Sequence, residues 1–257
     1  MSAGLSACVI ACNEEQELAR CLDAIVDLVD EVVVVVDASS LDGTEKIARE
    51  RAQRVVVRPY AGDIEQKRHA VGLATHDWVL VIDPDEVVPG ECALELRDAL
   101  QGADDALAGI ELNRITRHLG RWIRHGDFFP DWTLRVFRRS RAHWEGTNPH
   151  GRVVVEGRVA RMATPIQHYS YRDLADQVDR IQRFSAAAAV ALHERGRPAR
   201  VRDLVLRPPA RFLRAYVQKR GFLDGVPGLV IAAATAFHVF LKYAKLWELE
   251  RVKNDCP

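Results

Sequence analysis

LSACVIA (residues 5–11) is an apolar run with no alternation, and EVVVVVD (31–37) repeats the pattern more strongly. Short unbroken apolar runs of this kind fit strands covered on both faces, as in parallel sheets. Between them, Leu18, Leu22, Ile25 and Val29 recur at helical spacing. After ASSLDGT comes a helix carrying Ile47 and Ala48, then a strand RVVVRP, a helix over about 64–74, and a strand WVLVID. This strand–helix alternation predicts an α/β fold with a doubly wound, mostly parallel sheet. From about 107 to 170 the pattern is mixed, with short strands AGIELNRI and WTLRVFRR and aromatic-rich loops. A helix is predicted over about 173–195, then an Arg-rich stretch, then an apolar run from Val226 to Leu241.

In open α/β sheets, ligands bind beyond the carboxyl ends of the strands. Asn13, Asp37 and Asp83 all fall there, which turns three separate loops into one candidate site. The fourth strand ends in Asp83, Pro84, Asp85 and Glu86, and acids held this close cost stability unless a cation or proton offsets them. The offset is a metal, a covalent phosphate chemistry, or simply water around a turn. Two carboxylates one residue apart can both face a hard divalent cation, and Mg²⁺ or Mn²⁺ takes one or two carboxylates plus water and substrate phosphates. Asp37 could accept hydrogen bonds from a base or ribose, whereas Asp42 reads as a helix cap and NEEQE as a helix N-terminus. Neither a P-loop nor a Rossmann dinucleotide fingerprint is present.

The net charge of zero conceals an asymmetry. Residues 1–100 carry about 9 Lys and Arg against 20 Asp and Glu, leaving about 27 against 16 for the remainder. Residues 195–220 alone hold about nine Lys and Arg and one Asp. A basic segment followed by an apolar helix reads as a surface for an anionic leaflet. The competing reading packs that helix into the core or a homodimer interface. The apolar run, about 16 residues interrupted by Pro227 and His238, is too short to span a bilayer. An acidic candidate site and a basic region without a reading motif argue against nucleic acid. The five cysteines (Cys8, Cys12, Cys21, Cys92 and Cys256) have no zinc spacing and fit a reducing compartment. No basic leader precedes the first strand, so a cytoplasmic protein is expected, peripheral on the inner face of the cell membrane if the basic segment binds there.

CNEE, VVVVVDASSLDGT, QKRHAV and WVLVIDPDE together resemble the inverting family-two glycosyltransferases of GT-A fold. Further on, GDFFPDWTLRVFRR, QHYSY and KRGFLDGVPGL are similar to the subgroup near bacterial lipopolysaccharide core glycosyltransferases. The resemblance implies a GT-A catalytic domain over 1–170, with a donor half (1–100) and an acceptor half (101–170), followed by a helical extension over 171–257. It implies a nucleotide-sugar donor, usually a UDP-sugar, and a glycan or glycolipid acceptor. Base and ribose would be held near Asn13, Glu15 and Asp37, with Lys67 near the diphosphate or nucleotide, Asp83 near the ribose, and Asp85 on the metal. His168 would approach the metal or diphosphate, although a hydrogen-bonded core histidine reads equally well.

An inverting transfer needs a base for the acceptor hydroxyl, and Asp131 in FFPDWTLR is the candidate, placed among aromatics that would desolvate it and stack on sugars. The bland alternative is an Asp that merely starts a strand after Pro130. The subgroup often shows His-Glu where this chain has His150 and Gly151, a departure that weakens any catalytic role for that loop. VLVIDPDEV also fits the nucleophile signature of haloacid-dehalogenase-type phosphatases, with Asp83 attacking phosphate and Asp85 as acid/base. Against that reading, three strand–helix units precede the motif. A nucleotidyltransferase and a non-catalytic nucleotide-sugar binding protein complete the alternatives.

Overall fold

The computed structural model describes residues 4–146 and 151–252. Its first half runs β1 (Leu5–Ala11), α1 (Glu15–Ile25), β2 (Glu31–Asp37), α2 (Thr44–Arg51), β3 (Arg54–Arg58), α3 (Asp63–Leu73), β4 (Trp78–Val81), β5 (Glu86–Val87) and α4 (Gly90–Gln101). The strands β3, β2, β1 and β4 lie side by side in that order, all parallel. Every residue of β2 is buried, because both faces of the sheet are covered. Val32, Val34 and Val36 pack with Leu18, Leu22 and Ile25 of α1 and Leu96 of α4, whereas Val33 and Val35 pack with Ala70 and Val71 of α3. The alternation of a pleated strand sends successive side chains to opposite layers, and each layer accepts only apolar ones.

Beyond α4 the chain continues as β6 (Leu107–His118), β7 (Arg121–Trp122), β8 (Trp132–Arg138), β9 (Ala142–Glu145), β10 (Arg152–Val155), β11 (Arg158–Arg161) and β12 (Ile166–His168). β8 extends the sheet antiparallel to β4, and β6 follows antiparallel to β8. β11 runs parallel to β6, β9 and β10 form a separate hairpin, and β5 pairs antiparallel with β12 so that His168 lies opposite Glu86. The result is the mixed α/β fold with a parallel sheet in the first half of the chain. Helices α5 (Leu174–Glu194), α6 (Val201–Leu213) and α7 (Gly225–Val252) complete the chain.

The chain divides into two compact units: residues 1–114 with 131–168, and 115–130 with 169–257. The second has its own small core, where Tyr243 and Leu246 of α7 meet Ala189 of α5 and Leu204 of α6. Here the structure corrects one expectation and adds one element. The apolar run did not announce the length of the final helix, which does not stop at its end, and much of the Arg-rich stretch, for which the sequence offered no element, is α6. Pro227 lies in the first turn of α7, where its missing N–H is not needed, and the helix passes through His238 without interruption for 28 residues. It is therefore long enough to cross a bilayer, contrary to the count of apolar residues alone.

Candidate active site

β1, β2 and β4 end together, and their loops carry the predicted polar residues. Asn13 takes up a left-handed backbone (φ 54°), a conformation Asn tolerates better than most residues. Its N–H donates to Ser40 Oγ at 2.9 Å, and its Oδ1 accepts from the Leu41 N–H at 2.8 Å. Glu15 Oε2 accepts from the Gly43 N–H at 2.7 Å. Asp37, buried at the end of β2, accepts from the Ser39 N–H at 2.9 Å. Asn13 and Glu15 thus tie the loop after β1 to the loop after β2, and Asp37 fixes the second loop from within. Asp42 accepts from the Thr44 N–H and Oγ1 and from the Glu15 N–H, which holds its carboxyl below the usual range against the opposing effect of burial. The cap reading of Asp42 is the one its contacts support.

The DPDE segment is a turn: the Glu86 N–H donates to the Asp83 carbonyl at 3.0 Å, with Pro84 second in the turn, where its fixed φ is suited. From this turn a chain of alternating charge runs through the unit. Lys67 of α3 pairs with Asp83 Oδ1 at 2.6 Å, and Arg135 of β8 donates to Asp83 Oδ2 at 2.5 Å. Arg135 also donates to the fully buried Glu86, which in turn pairs with Arg114 of β6 at 3.1 Å. Arg114 closes on Asp131 with a two-pronged contact, Nε at 2.9 Å and an Nη at 2.6 Å, both to Oδ2. The order is Lys67, Asp83, Arg135, Glu86, Arg114, Asp131. Burial alone would push the Asp83 carboxyl up, but Arg135 and Lys67 override it and hold it far below the usual carboxylate range.

Three acids of this turn therefore have different fates. Asp83 and Glu86 are neutralised by the protein's own cations. Asp85 has no Lys or Arg partner among the described residues, and its ion-pair neighbour is His168, 3.4 Å away across the β5–β12 edge. The predicted metal pair is thus brought together. No group of three or more His, Cys, Asp or Glu among the described residues is arranged to hold a metal ion. The Asp85–His168 pair fits a cation whose shell is completed by water and substrate phosphate rather than an all-protein cage.

Asp131 pairs with the Arg114 guanidinium, a charged partner that its sequence neighbours did not announce. Beside it opens a cleft of about 830 Å³ whose wall includes Lys67, Glu111, Trp132, Arg135, Trp144 and Arg161. Arg161 stacks over Trp132 at 5.0 Å and pairs with Glu111 at 2.7 Å, which fixes the indole in the wall. Gly151 also lines the cleft, and a Cβ there would stand 1.9 Å from Ile64 Cδ1. Ile64 thus occupies the space into which a residue-151 side chain would begin, while His150 lies outside the described residues.

Sequence reasoning passed over Glu14, Arg114 and Arg135. Glu14 Oε2 accepts from the Cys12 N–H at 3.2 Å. Burial, with Asp85 and Asp83 adding to it, pushes its carboxyl up to about 7 despite that hydrogen bond. A raised carboxyl favours the folded state only while it is protonated, so stability is lost as pH rises from the usual 4.5 toward 7. Glu14→Gln is expected to be isostable with the parent near pH 4 and more stable by about 2 kcal/mol at pH 8 without divalent cation, allowing for partial exposure. Thermal unfolding of both proteins across that range measures the difference, and a pH-independent difference would remove Glu14 from the acidic site.

The family model described as glycosyl transferase family 2 matches residues 6–156. The lipopolysaccharide core biosynthesis glycosyltransferase LpsC of Rhizobium meliloti is 27% identical over 256 residues, covering 97% of this chain and 94% of that relative. An uncharacterized glycosyltransferase of Rickettsia typhi is 28% identical over 260 residues, covering 95% and 87%. Among solved structures, glucosyl-3-phosphoglycerate synthase from Mycobacterium tuberculosis is 25% identical over 45% of this chain and 44% of its own, with a TM-score of 0.37, a likeness too loose to carry an argument. These relatives do not favour the phosphatase, nucleotidyltransferase or binding-protein readings. The matched segment is more than half of the chain and holds every predicted site residue except His168, and the chain belongs to glycosyl transferase family 2.

Proposed function

We propose that the protein transfers a sugar from a UDP-sugar to a hydroxyl of a cell-envelope glycan or glycolipid, of the lipopolysaccharide core type, with inversion and with a divalent cation. The observation that carries this reading is the division of the acid turn, which leaves Asp85 as the acid without a Lys or Arg partner, facing His168. Asp85, supported by His168, would hold Mg²⁺ or Mn²⁺, whose chemistry when bound is to neutralise the negative charge of the diphosphate leaving group. Asn13, Glu15, Asp37 and Asp83 frame the nucleoside end of the site. Lys67 stands at the cleft wall, where its ammonium can meet the diphosphate as well as Asp83.

Asp131 is the base in this reading. Arg114 holds Oδ2 and so orients the carboxylate, while Oδ1 takes the acceptor proton. The acceptor oxygen forms its bond to the anomeric carbon as the bond to the diphosphate breaks, and a single displacement of this kind inverts the centre. Trp132 and Trp144 offer aromatic faces to the acceptor sugar.

Titration calorimetry with UDP, GDP and CDP, each with and without Mn²⁺, tests the donor site. UDP is expected to bind roughly tenfold or more tightly with the cation, and Asp85→Asn to erase that gain while its unfolding curve matches the parent's. If no nucleoside diphosphate binds in a metal-dependent way, the reading fails.

A further inference from the structure

The outward face of α7 is apolar where a water-soluble helix is polar. Val226, Leu229, Phe237, Phe240 and Trp247 are each between 39% and 69% exposed, and Ala233 is exposed among them. Their spacing of three, four or seven residues keeps them on one stripe that turns with the helix. Phe222 and Leu223, both exposed in the turn before α7, lead into it. The flank of the helix beside this stripe is already occupied. Tyr243 and Leu246 are buried against α5 and α6, Lys245 donates to the Gln182 carbonyl and to Ser185 Oγ of α5, and Arg207 of α6 stacks over Tyr243. The stripe is the surface left over, and a row of large apolar side chains this long signals something that covers it.

Charge chooses among the things that could. Arg195, Arg197, Arg200, Arg202, Arg214 and Arg220 of the same unit have no carboxylate partner among the described residues. Arg220 precedes the stripe, and at its far end Arg251 stacks over Trp247 at 4.4 Å. A second copy meeting this face by two-fold symmetry would bring the same cations against themselves. A crossing helix would draw the charged helices α5 and α6, which pack along its inner side, toward hydrocarbon. An anionic leaflet accepts both features at once, the aromatic stripe at the acyl boundary and the arginines among the headgroup phosphates. We infer that the outer stripe of α7, from Val226 to Trp247, is the face on which the protein docks on a bilayer of anionic phospholipid, lying in the interface without crossing it. The inference is independent of the donor site.

The test is sedimentation of the full chain with vesicles of phosphatidylcholine, with and without phosphatidylglycerol. The protein is expected to sediment with the anionic vesicles and to be released by high salt. Phe237→Ser/Phe240→Ser is expected to lower partitioning by roughly tenfold or more while UDP affinity is unchanged, which shows the fold intact. Trp247 supplies a second readout: emission should shift to the blue on anionic vesicles, and Trp247→Phe should lose that shift. Parent-like sedimentation of the double variant overturns the inference. So does a parent dimer that the double variant converts to monomer without change in vesicle binding, since the stripe would then belong to a second copy.

Discussion

Asp131→Asn is expected to lower kcat by about 10²–10⁴-fold while leaving Mn²⁺-dependent UDP binding as it is in the parent. The asymmetry follows from the carboxylate's position. Asp131 touches Arg114 and its own strand neighbours, with its N–H donating to Asn113 Oδ1, and none of its polar contacts is with the loops after β1, β2 or β4. Asparagine keeps an acceptor oxygen for the Arg114 fork, so the local geometry survives. The Arg114–Asp131 pair is partly exposed on both sides, so its loss as an ion pair costs little stability. What the substitution removes is the capacity to take a proton. A parent-like kcat would move the base into the neighbouring cleft, where Glu111 is the carboxylate in the wall and then the residue to change. Donor affinity and kcat are measured on the same preparation, so a fall in both together would instead report a damaged fold.

The apolar runs made the sheet legible. β1, β2 and β4 are where their unbroken hydrophobicity put them, because a strand covered on both faces has no polar positions to confuse the pattern, and β3 follows at the partly exposed edge. The strand ends then located Asn13, Asp37 and Asp83 on one edge without any knowledge of contacts. The ion chain was not legible in the same way. Arg135 sits inside WTLRVFRR, where an arginine in a strand looks like a solvent-facing residue, and only the turn of β8 beside β4 places it between Asp83 and Glu86. Arg114 in AGIELNRI is hidden for the same reason. Such partners are joined across 28 to 52 residues, and hydrophobic periodicity carries no information at that range. The length of α7 was missed on different grounds: apolar counting stops at Leu241, whereas the helix continues because Tyr243 and Leu246 still have α5 and α6 to pack on. Glu14 escaped notice because its raised carboxyl depends on burial, helped by two acids that are distant in sequence.

Arg135→Ala is expected to cost about 3 kcal/mol of stability, toward the lower end of what breaking a buried ion pair does, since Lys67 and Arg114 still reach the two stranded acids. Glu86 has no exposure to water with which to replace the guanidinium, and Arg135 itself is nearly as deeply buried. The pH dependence identifies the cause. In the parent, the depressed Asp83 carboxyl contributes stability that is fully present above its unfolded value of about 3.8 and is lost as the pH falls below it. Without Arg135, Lys67 alone opposes the burial of Asp83, whose carboxyl takes up its proton at higher pH, so the deficit of the variant relative to the parent should shrink between pH 8 and pH 5. Arg135→Lys should recover only part of the loss: one Nη of the guanidinium meets both Asp83 and Glu86, and an ammonium on a differently shaped stem does not reach the same point. Urea unfolding of the three proteins at pH 5 and pH 8 measures all of this. A loss under about 1 kcal/mol that does not vary with pH would mean that the acid turn is held by something other than the charges of β8.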